Sequence, residues 1–508
     1  MNIPFILEKA LSLYADKEAV ISGDKRFTYR QFADRVAGLA NFLQQQGISK
    51  GDCVAVLHQN GHEFLECYFA AAHLGAILNP LNFRLSPNEL AYILKDSEAS
   101  LLLAARRFGE NVAALPDLKV ELKGVIWTGD GVTPDPFNPF DYETLLSEAD
   151  VSPPPAADIE DDDVAHLYYT SGTTGQPKGV MLTHKNVCTH ALAAVAELRL
   201  ADTDSWIHVA PLFHLADAWA TFAVTWVGGR HVVVPDFEPG PVLAALEREK
   251  VTITNMIPTM LNMLVNHPGI EKCDFSSLRV LLSGGAPIAP EVVRRIYGMT
   301  ETSPYLTVSI LKDRLLELPP EKQFFYKAKT GRPFMGVLLK VVRDDGTEVA
   351  ADDTEVGEII VKGDIVTPGY WKLPDETAKA IRDGWLHTGD LAVVDGEGYV
   401  NIVDRKKDMI ITGGENVYST EVENVLYMHD DILEAAVFGV PHPKWGEAVK
   451  ACLVLKPDRK ATEEEIIAFC KQHIAHYKAP KSIDFLDALP RTGSGKIYKK
   501  GMRDGYLD

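Results

Sequence analysis

Short apolar runs alternating with amphipathic stretches set the pattern of this chain from its N-terminal end. Phe32, Val36, Leu39, Ala40 and Leu43 recur at helical spacing, which predicts an amphipathic helix over 28–45. The run Cys53-Val54-Ala55-Val56-Leu57 follows a Lys50-Gly51-Asp52 turn and predicts a short buried strand, with a second helix over 63–75. Further apolar runs at 206–210, 231–234 and 278–282 predict more strands, so the first part of the chain is of alternating α/β construction. The pattern then changes. Residues 339–342 and 348–349 flank Asp344-Asp345-Gly346 as the arms of a hairpin would, with another strand at 357–361, which predicts a β-rich portion. Towards the end, 435–438 and 451–455 read as strands, while Thr420-x-x-Glu423 and Thr462-x-x-Glu465 read as capping boxes that open helices. The Pro- and Asp-rich stretch 151–163 reads as an exposed connector, and no repeat of solenoid period is visible.

Composition narrows the class. With 508 residues and 46% hydrophobic composition the chain can bury a large core and is expected to form more than one domain. A formal net charge of -20 argues against a nucleic-acid surface or a polybasic membrane face. The first residues carry no basic leader followed by a long apolar run, and no later run approaches a membrane span, so a cytoplasmic protein is expected. The six cysteines show neither Cys-x-x-Cys pairs nor zinc-ligand spacing and read as buried thiols in a reducing compartment.

Candidate chemistry concentrates first at Thr170-Ser171-Gly172-Thr173-Thr174-Gly175-Gln176-Pro177-Lys178-Gly179. The glycines let successive backbone amides converge on an anion, the hydroxyls of Thr170, Ser171, Thr173 and Thr174 add donors, and Lys178 adds a positive charge. This is a phosphate-holding loop without the Gly-Lys-Ser/Thr of a Walker A motif, so a kinase or GTPase is disfavoured. Further on, Pro211-Leu212-Phe213-His214 follows a predicted strand, and Ser283-Gly284-Gly285-Ala286-Pro287 is a small-residue turn suited to close approach by a flat ligand. Tyr297-Gly298-Met299-Thr300-Glu301-Thr302 adds a carboxylate of the hard-oxygen kind that Mg²⁺ takes. The later stretches are Trp385-Leu386-His387-Thr388-Gly389-Asp390, Asp404-Arg405-Lys406-Lys407-Asp408, Gly413-Gly414-Glu415-Asn416 and Thr492-Gly493-Ser494-Gly495-Lys496.

These stretches, in this order and across essentially the whole chain, resemble the motifs of the adenylate-forming superfamily, which includes acyl-CoA synthetases, luciferases and peptide-synthetase adenylation domains. The resemblance implies a large N-terminal domain over 1–404, with two α/β sheet subdomains and a β-rich subdomain, and a small mobile α+β domain over 405–508 hinged near Lys407. It implies that Thr170 to Gly175 and Lys178 hold the ATP phosphates, and that Gly285, Ala286 and Pro287 lie against adenine. Tyr297 would stack on that ring within the Tyr297-Gly298-Met299-Thr300 motif, Thr300 would contact phosphate, and Glu301 would bind magnesium. Asp390 would accept from the ribose hydroxyls, with Arg405 assisting. Phe213, His214 and Gly284 would line the acyl pocket, Gly413, Gly414 and Glu415 the coenzyme A channel, and Lys496 would be the catalytic lysine, with Thr170 and Glu301 beside it in the chemistry.

The implied reaction is ATP-dependent formation of acyl-AMP and pyrophosphate, then of acyl-CoA and AMP. A fatty acid of medium or long chain is the expected substrate, with an aryl or alicyclic acid as the alternative. Amino-acid-activating relatives place an acidic residue where His214 stands, which favours an acid without an α-amino group, although Asp217 lies close by. The expected partners are small molecules, namely the carboxylic acid, ATP and CoA, with a homodimer as the commonest oligomer.

One departure stands out. Only Glu291 to Ile296 separate Pro290 from Tyr297, where the resemblance calls for the end of a helix and a core strand. A parallel crossover takes on the order of a dozen residues, so the sequence predicts that this strand is missing. A nucleotide-binding regulator with impaired catalysis is therefore the alternative from another class.

Overall fold

The segment 28–45 forms its helix, Tyr29–Gln45, because Thr28 and Gln31 close a reciprocal capping box at its start and Phe32, Val36, Leu39 and Leu43 make one buried face. Burying each such side chain is worth about 1.5–3 kcal/mol, more than the weak helix propensity of Val and Phe costs. The structure is a computed structural model that describes residues 1–131, 133–134, 137–155, 157–170, 176–284, 293–491 and 497–506. It divides into two units, residues 1–339 with 361–386 and residues 340–360 with 387–508.

The first unit is built on two sheets. One has seven strands in the order Pro139–Asp141, Gly124–Thr128, Ala99–Ala105, Cys53–Leu57, Ile77–Pro80, Val164–Thr170, Lys178–Thr183. All neighbours are parallel except the last pair. The other has nine strands, with a parallel centre of Val293–Gly298, Val280–Ser283, Ile253–Asn255, Ser205–His208, Arg230–Val233 and Glu18–Ser22. One apolar core joins them: Val54, Leu78 and Leu101 of the first sheet share it with Trp206, Val233 and Leu282 of the second and with helices Tyr29–Gln45, His62–His73 and Leu215–Val227. Within this packing the buried Glu66 pairs with the half-buried Arg35 at 2.6 Å and also takes hydrogen bonds from His62 and Tyr142.

In the second unit the strands Glu415–Val417, Ile410–Thr412, Gly446–Leu455 and Ile432–His442 form an antiparallel sheet, with Ser482–Phe485 parallel to Gly446–Leu455. Helices Ser419–Tyr427 and Glu463–His473 pack on it. The β-rich portion is a five-stranded sheet built on Trp385–Val394, to which Gly357–Lys362 and Val400–Arg405 contribute.

Two sequence expectations are overturned. The strand predicted to be missing is present: Val293–Gly298 runs parallel to Val280–Ser283, with Leu281 opposite Val293 and Ser283 opposite Arg295. Tyr297 itself belongs to this strand, whose first half pairs with Val280–Ser283 and whose second half, with Tyr297 opposite Thr307, pairs with Tyr305–Val308. The cost is visible at Arg294 and Arg295, whose guanidiniums are carried into the sheet and lose basicity through burial. The capping box at Thr420 also fails. The helix starts at Ser419 without a side-chain cap, Thr420 donates to the Val403 carbonyl, and Glu423 accepts from the Val437 amide and pairs with Lys499. Thr462 and Glu465 do form their box.

Candidate active site

In the first unit the two arms of the phosphate-loop hairpin are antiparallel, with Thr170 opposite Lys178 and Tyr169 opposite Gly179. Ser171, Gly172, Thr173, Thr174 and Gly175 lie outside the described residues. The Lys178 ammonium at the mouth of the hairpin pairs with Glu376 and sits 5.3 Å over the Tyr370 ring. The pairing with Lys178, and then with Lys379, holds the Glu376 carboxyl at about 2. Tyr370 in turn donates its hydroxyl to Glu301 at 3.0 Å, and Glu301 is buried. One phenol thus joins the cation expected at the phosphates to the carboxylate expected at magnesium.

Neither Tyr370 nor Glu376 was found from the sequence. The only signal was the aromatic pair Tyr370-Trp371 ahead of Pro374, which no spacing connects to a loop some two hundred residues earlier.

Glu301 lies on a short 3₁₀ turn, Thr300–Thr302, whose geometry is set by Gly298: a Cβ there would stand 1.8 Å from the Pro304 carbonyl oxygen. No other residue fits that approach. Thr302 donates to the same carbonyl at 2.6 Å, and Tyr297 is half-buried in the strand just before. As a magnesium ligand Glu301 offers a hard oxygen held in place by a phenol. One carboxylate is the usual protein contribution when phosphates supply other ligands, so the residue fits that group.

Phe213 and His214 follow the strand Ser205–His208. Phe213 is buried, its ring edge-on to Phe83 at 5.1 Å, with the Arg84 guanidinium 5.7 Å above it. His214 caps helix Leu215–Val227, its Nδ1 accepting from the Ala216 amide at 3.1 Å. The neutral ring then carries its proton on Nε2. Asp217 is fully buried and both its oxygens are engaged, by the Trp206 indole at 3.0 Å and His208 at 2.8 Å. Gly284 ends the described part of its turn, while Gly285, Ala286 and Pro287 lie outside the described residues.

In the second unit Asp390 and Arg405 are cross-strand partners, 3.2 Å apart, with Asp390 buried. The expected ribose acceptor and its assisting arginine are therefore brought together. Lys407, two residues on, is exposed, and partial desolvation of its ammonium followed by the Arg405 charge lowers its basicity. Gly413 and Gly414, at φ 62° and 89°, make the two-residue turn between Ile410–Thr412 and Glu415–Val417, a turn that demands left-handed backbone at both positions. Glu415 beside them is exposed. Lys496 lies outside the described residues. Among the described residues His62, Glu63 and Glu143 form the one cluster of metal-ligand spacing, and Lys25 and Arg35 already neutralise it.

The pairing of Lys178 has a kinetic consequence. If Glu376 competes with phosphate for this ammonium, Glu376→Gln is expected to lower KM for MgATP by about two- to fivefold, the range of an exposed ion pair. Steady-state kinetics at saturating acid check this, and an unchanged or raised KM refutes the competition.

The AMP-binding enzyme family model matches residues 7–371, and that of the AMP-binding enzyme C-terminal domain matches residues 421–496. A feruloyl-CoA synthase of Amycolatopsis sp is 40% identical over 96% of this chain and 95% of its own length. A long-chain-fatty-acid--CoA ligase of Thermus thermophilus is 36% identical over 100% of this chain and 96% of its own length. Among solved structures, the anthranilate CoA ligase AuaEII in complex with anthranoyl-AMP superposes with a TM-score of 0.88 at 27% identity, covering 100% of this chain and 97% of that one. Among the described residues no helix is long and apolar enough to cross a membrane.

Proposed function

We infer, from the premise that this chain belongs to the AMP-binding enzyme family and is an AMP-forming acid:CoA ligase, that its acid is apolar, carries no α-amino group and is of aryl type. The observation that carries this reading is the state of Asp217. With no exposure and both oxygens engaged, it has nothing to offer an α-ammonium group. A compact acid is favoured over a long chain because the helix after His214 leads into packed aromatic rings: Trp219 donates to the Tyr305 hydroxyl at 2.8 Å, and Tyr305 lies edge-on to Phe334. The feruloyl-CoA synthase at 40% identity supports an aryl acid. A fatty acid is the second reading, supported by the Thermus relative.

In the first step a carboxylate oxygen attacks the α-phosphorus and the bond to pyrophosphate breaks. The loop amides and hydroxyls, Lys178 and Lys496 would meet the charge that builds on the phosphate oxygens. Glu301 would hold Mg²⁺, which neutralises phosphate charge when bound. In the second step the thiol sulfur attacks the acyl carbon, AMP leaves with its phosphate oxygen, and the thiol proton is released. His214, a donor at Nε2 when neutral, suits holding an acid oxygen rather than taking that proton. Asp390 and Arg405 would fix the ribose, and Lys407 would serve the hinge. Gly413, Gly414 and Glu415 would line the thiol channel. The reading places the reaction in the cytoplasm, which the six free cysteines support.

The test is mass spectrometry of products from the full chain with MgATP and a pool of aryl and aliphatic acids, with and without CoA. Aryl-CoA and AMP formed only with CoA, and bound aryl-AMP without it, are the expected result. Fatty acyl-CoA instead moves the second reading ahead, and no AMP with any acid overturns the ligase reading of this chain. The hinge has its own prediction: Lys407→Pro is expected to leave pyrophosphate exchange within about threefold and to slow thioester formation at least about tenfold, and equal loss of both removes Lys407 from the hinge.

A further inference from the structure

The segment that carries Phe213 and His214 is tied from behind by side chains that no motif accounts for. Asn60, in the turn after strand Cys53–Leu57, is buried, and its carboxamide nitrogen donates to the carbonyls of Ala210 at 2.9 Å and His208 at 3.3 Å. Its oxygen accepts from the Leu212 amide at 2.8 Å. One side chain therefore satisfies three backbone groups on consecutive turns of the same segment. Tyr68, on helix His62–His73, donates to the Leu212 carbonyl at 2.9 Å, and its oxygen lies 2.7 Å from the Tyr168 hydroxyl. A phenol has one hydrogen. Because that of Tyr68 goes to Leu212, Tyr168 must donate to Tyr68, and the chain runs in one direction, Tyr168 to Tyr68 to Leu212.

The two ends of this chain matter. Tyr168 stands two residues before Thr170, in the strand that leads into the phosphate loop, and Leu212 stands one residue before Phe213. The tyrosines are both buried, so each hydroxyl would carry a desolvation cost without its partner. Packing alone would be served by phenylalanine at either position. The hydroxyls and the carboxamide instead make a fixed link between a strand of the seven-stranded sheet and the end of a strand of the nine-stranded one.

We propose that Asn60 and the Tyr168–Tyr68 pair are positioning residues that set the 210–214 segment, and with it the acid's carboxylate, at one distance from the strand Val164–Thr170. This rests on the reading of Phe213 and His214 as acid-binding. None of the three touches substrate. Their effect arises because an in-line attack on phosphorus tolerates little misplacement, and a shift of the order of 1 Å costs up to about a hundredfold in rate.

The experiment is acid-dependent ATP–pyrophosphate exchange by the full chain, with a panel of aryl and aliphatic acids, on wild type and on Tyr68→Phe, Tyr168→Phe and Asn60→Asp, with Tm recorded for each. Tyr68→Phe and Asn60→Asp are expected to lower kcat/KM for the acid about tenfold, to leave KM for MgATP within about twofold, and to change the ranking among acids. Tyr168→Phe, which spares the bond to Leu212, is expected to act in the same direction and less strongly. A lowered Tm with unchanged acid kinetics and ranking overturns the proposal, as does a parallel loss for acid and MgATP. Phe213→Ala is run beside them. If it shifts the acid ranking and Tyr68→Phe does not, the positioning role alone fails; if neither shifts it, the acid-binding reading has failed first.

Discussion

Lys496→Ala is expected to reduce the rate of acyl-AMP formation by about 10²–10³ while changing KM for MgATP and acid by no more than a few fold. The reasoning is electrostatic. In the proposed reading the ground-state triphosphate would already be neutralised by Mg²⁺ and by the loop donors, so one more ammonium would add little to binding. In the transition state negative charge gathers on the oxygens around the α-phosphorus and on the departing pyrophosphate, and a cation aimed there is worth roughly 3–4 kcal/mol. Pyrophosphate exchange measures this step alone. Synthetic acyl-AMP with CoA measures the other, which is expected to proceed within about threefold of wild type if, as proposed, the lysine serves only the first step. A variant that loses both steps equally, or that loses affinity for MgATP instead of turnover, removes Lys496 from its catalytic role. Glu376→Gln sits at the opposite end of the same logic, since Glu376 pairs with Lys178, an ammonium that in the proposed reading would bind phosphate in ground and transition states alike.

What the chain's pattern revealed, and what it hid, follows from how local each cause is. The pairing of Asp390 with Arg405 was within reach, because two short strands joined by a tight turn place those residues opposite each other. The Lys178 to Glu376 pair was not, since nothing in either neighbourhood encodes a contact across 198 positions. Tyr370 was hidden for the same reason. The failure at 293–298 is different in kind. Val-Arg-Arg-Ile carries no alternation that would mark a central strand, and the count of residues available for a crossover pointed against one. Hydrogen bonding to Val280–Ser283 on one side and Tyr305–Val308 on the other overrides both signals, at the cost of desolvating two guanidiniums. At Thr420 a correct local motif lost to tertiary bonding, because the Val403 carbonyl took the hydroxyl. The site shows the same division. Its loops were legible as motifs, whereas the residues that hold them, Asn60, Tyr68 and Tyr370, lie in a turn, a helix and a connecting segment far from those motifs in sequence.

Acid is expected to unfold the first unit well before its carboxylates titrate. His166, His184 and His190 are all buried there, and burial holds their imidazoles neutral, at about 3, about 4 and about 3. Among the described residues His166 finds no hydrogen-bond partner for either ring nitrogen, and it lies stacked against Phe222 at 5.3 Å. His184 and His190 each accept one backbone amide, from Ile3 and Tyr305, a bond that the neutral ring makes and a protonated nitrogen forfeits. The folded pKa of each lies below the unfolded value near 6.5, so the unfolded chain binds the extra protons. The stability they contribute is fully present above about pH 6.5 and is lost as pH falls towards 4 and then 3. By pH 5 each histidine has forfeited about 2 kcal/mol, and the three together up to about 6 kcal/mol. Carboxylates with lowered pKa, such as Glu143 at about 2, start to lose their contribution only below about pH 4.5, which leaves the window from 6.5 to 5 to the histidines. Thermal unfolding of the full chain at pH 7.5, 6 and 5 reads this out, with a steep fall in Tm across that range as the expected result. His166→Phe keeps the stacked ring and removes one titrating group of five, since burial also lowers the buried His58 and His231 of this unit, and it is expected to recover roughly a fifth of the fall while leaving Tm at pH 7.5 unchanged or higher. A Tm that holds to pH 5, or a His166→Phe chain with the wild-type pH dependence, would show that these imidazoles are not the acid trigger.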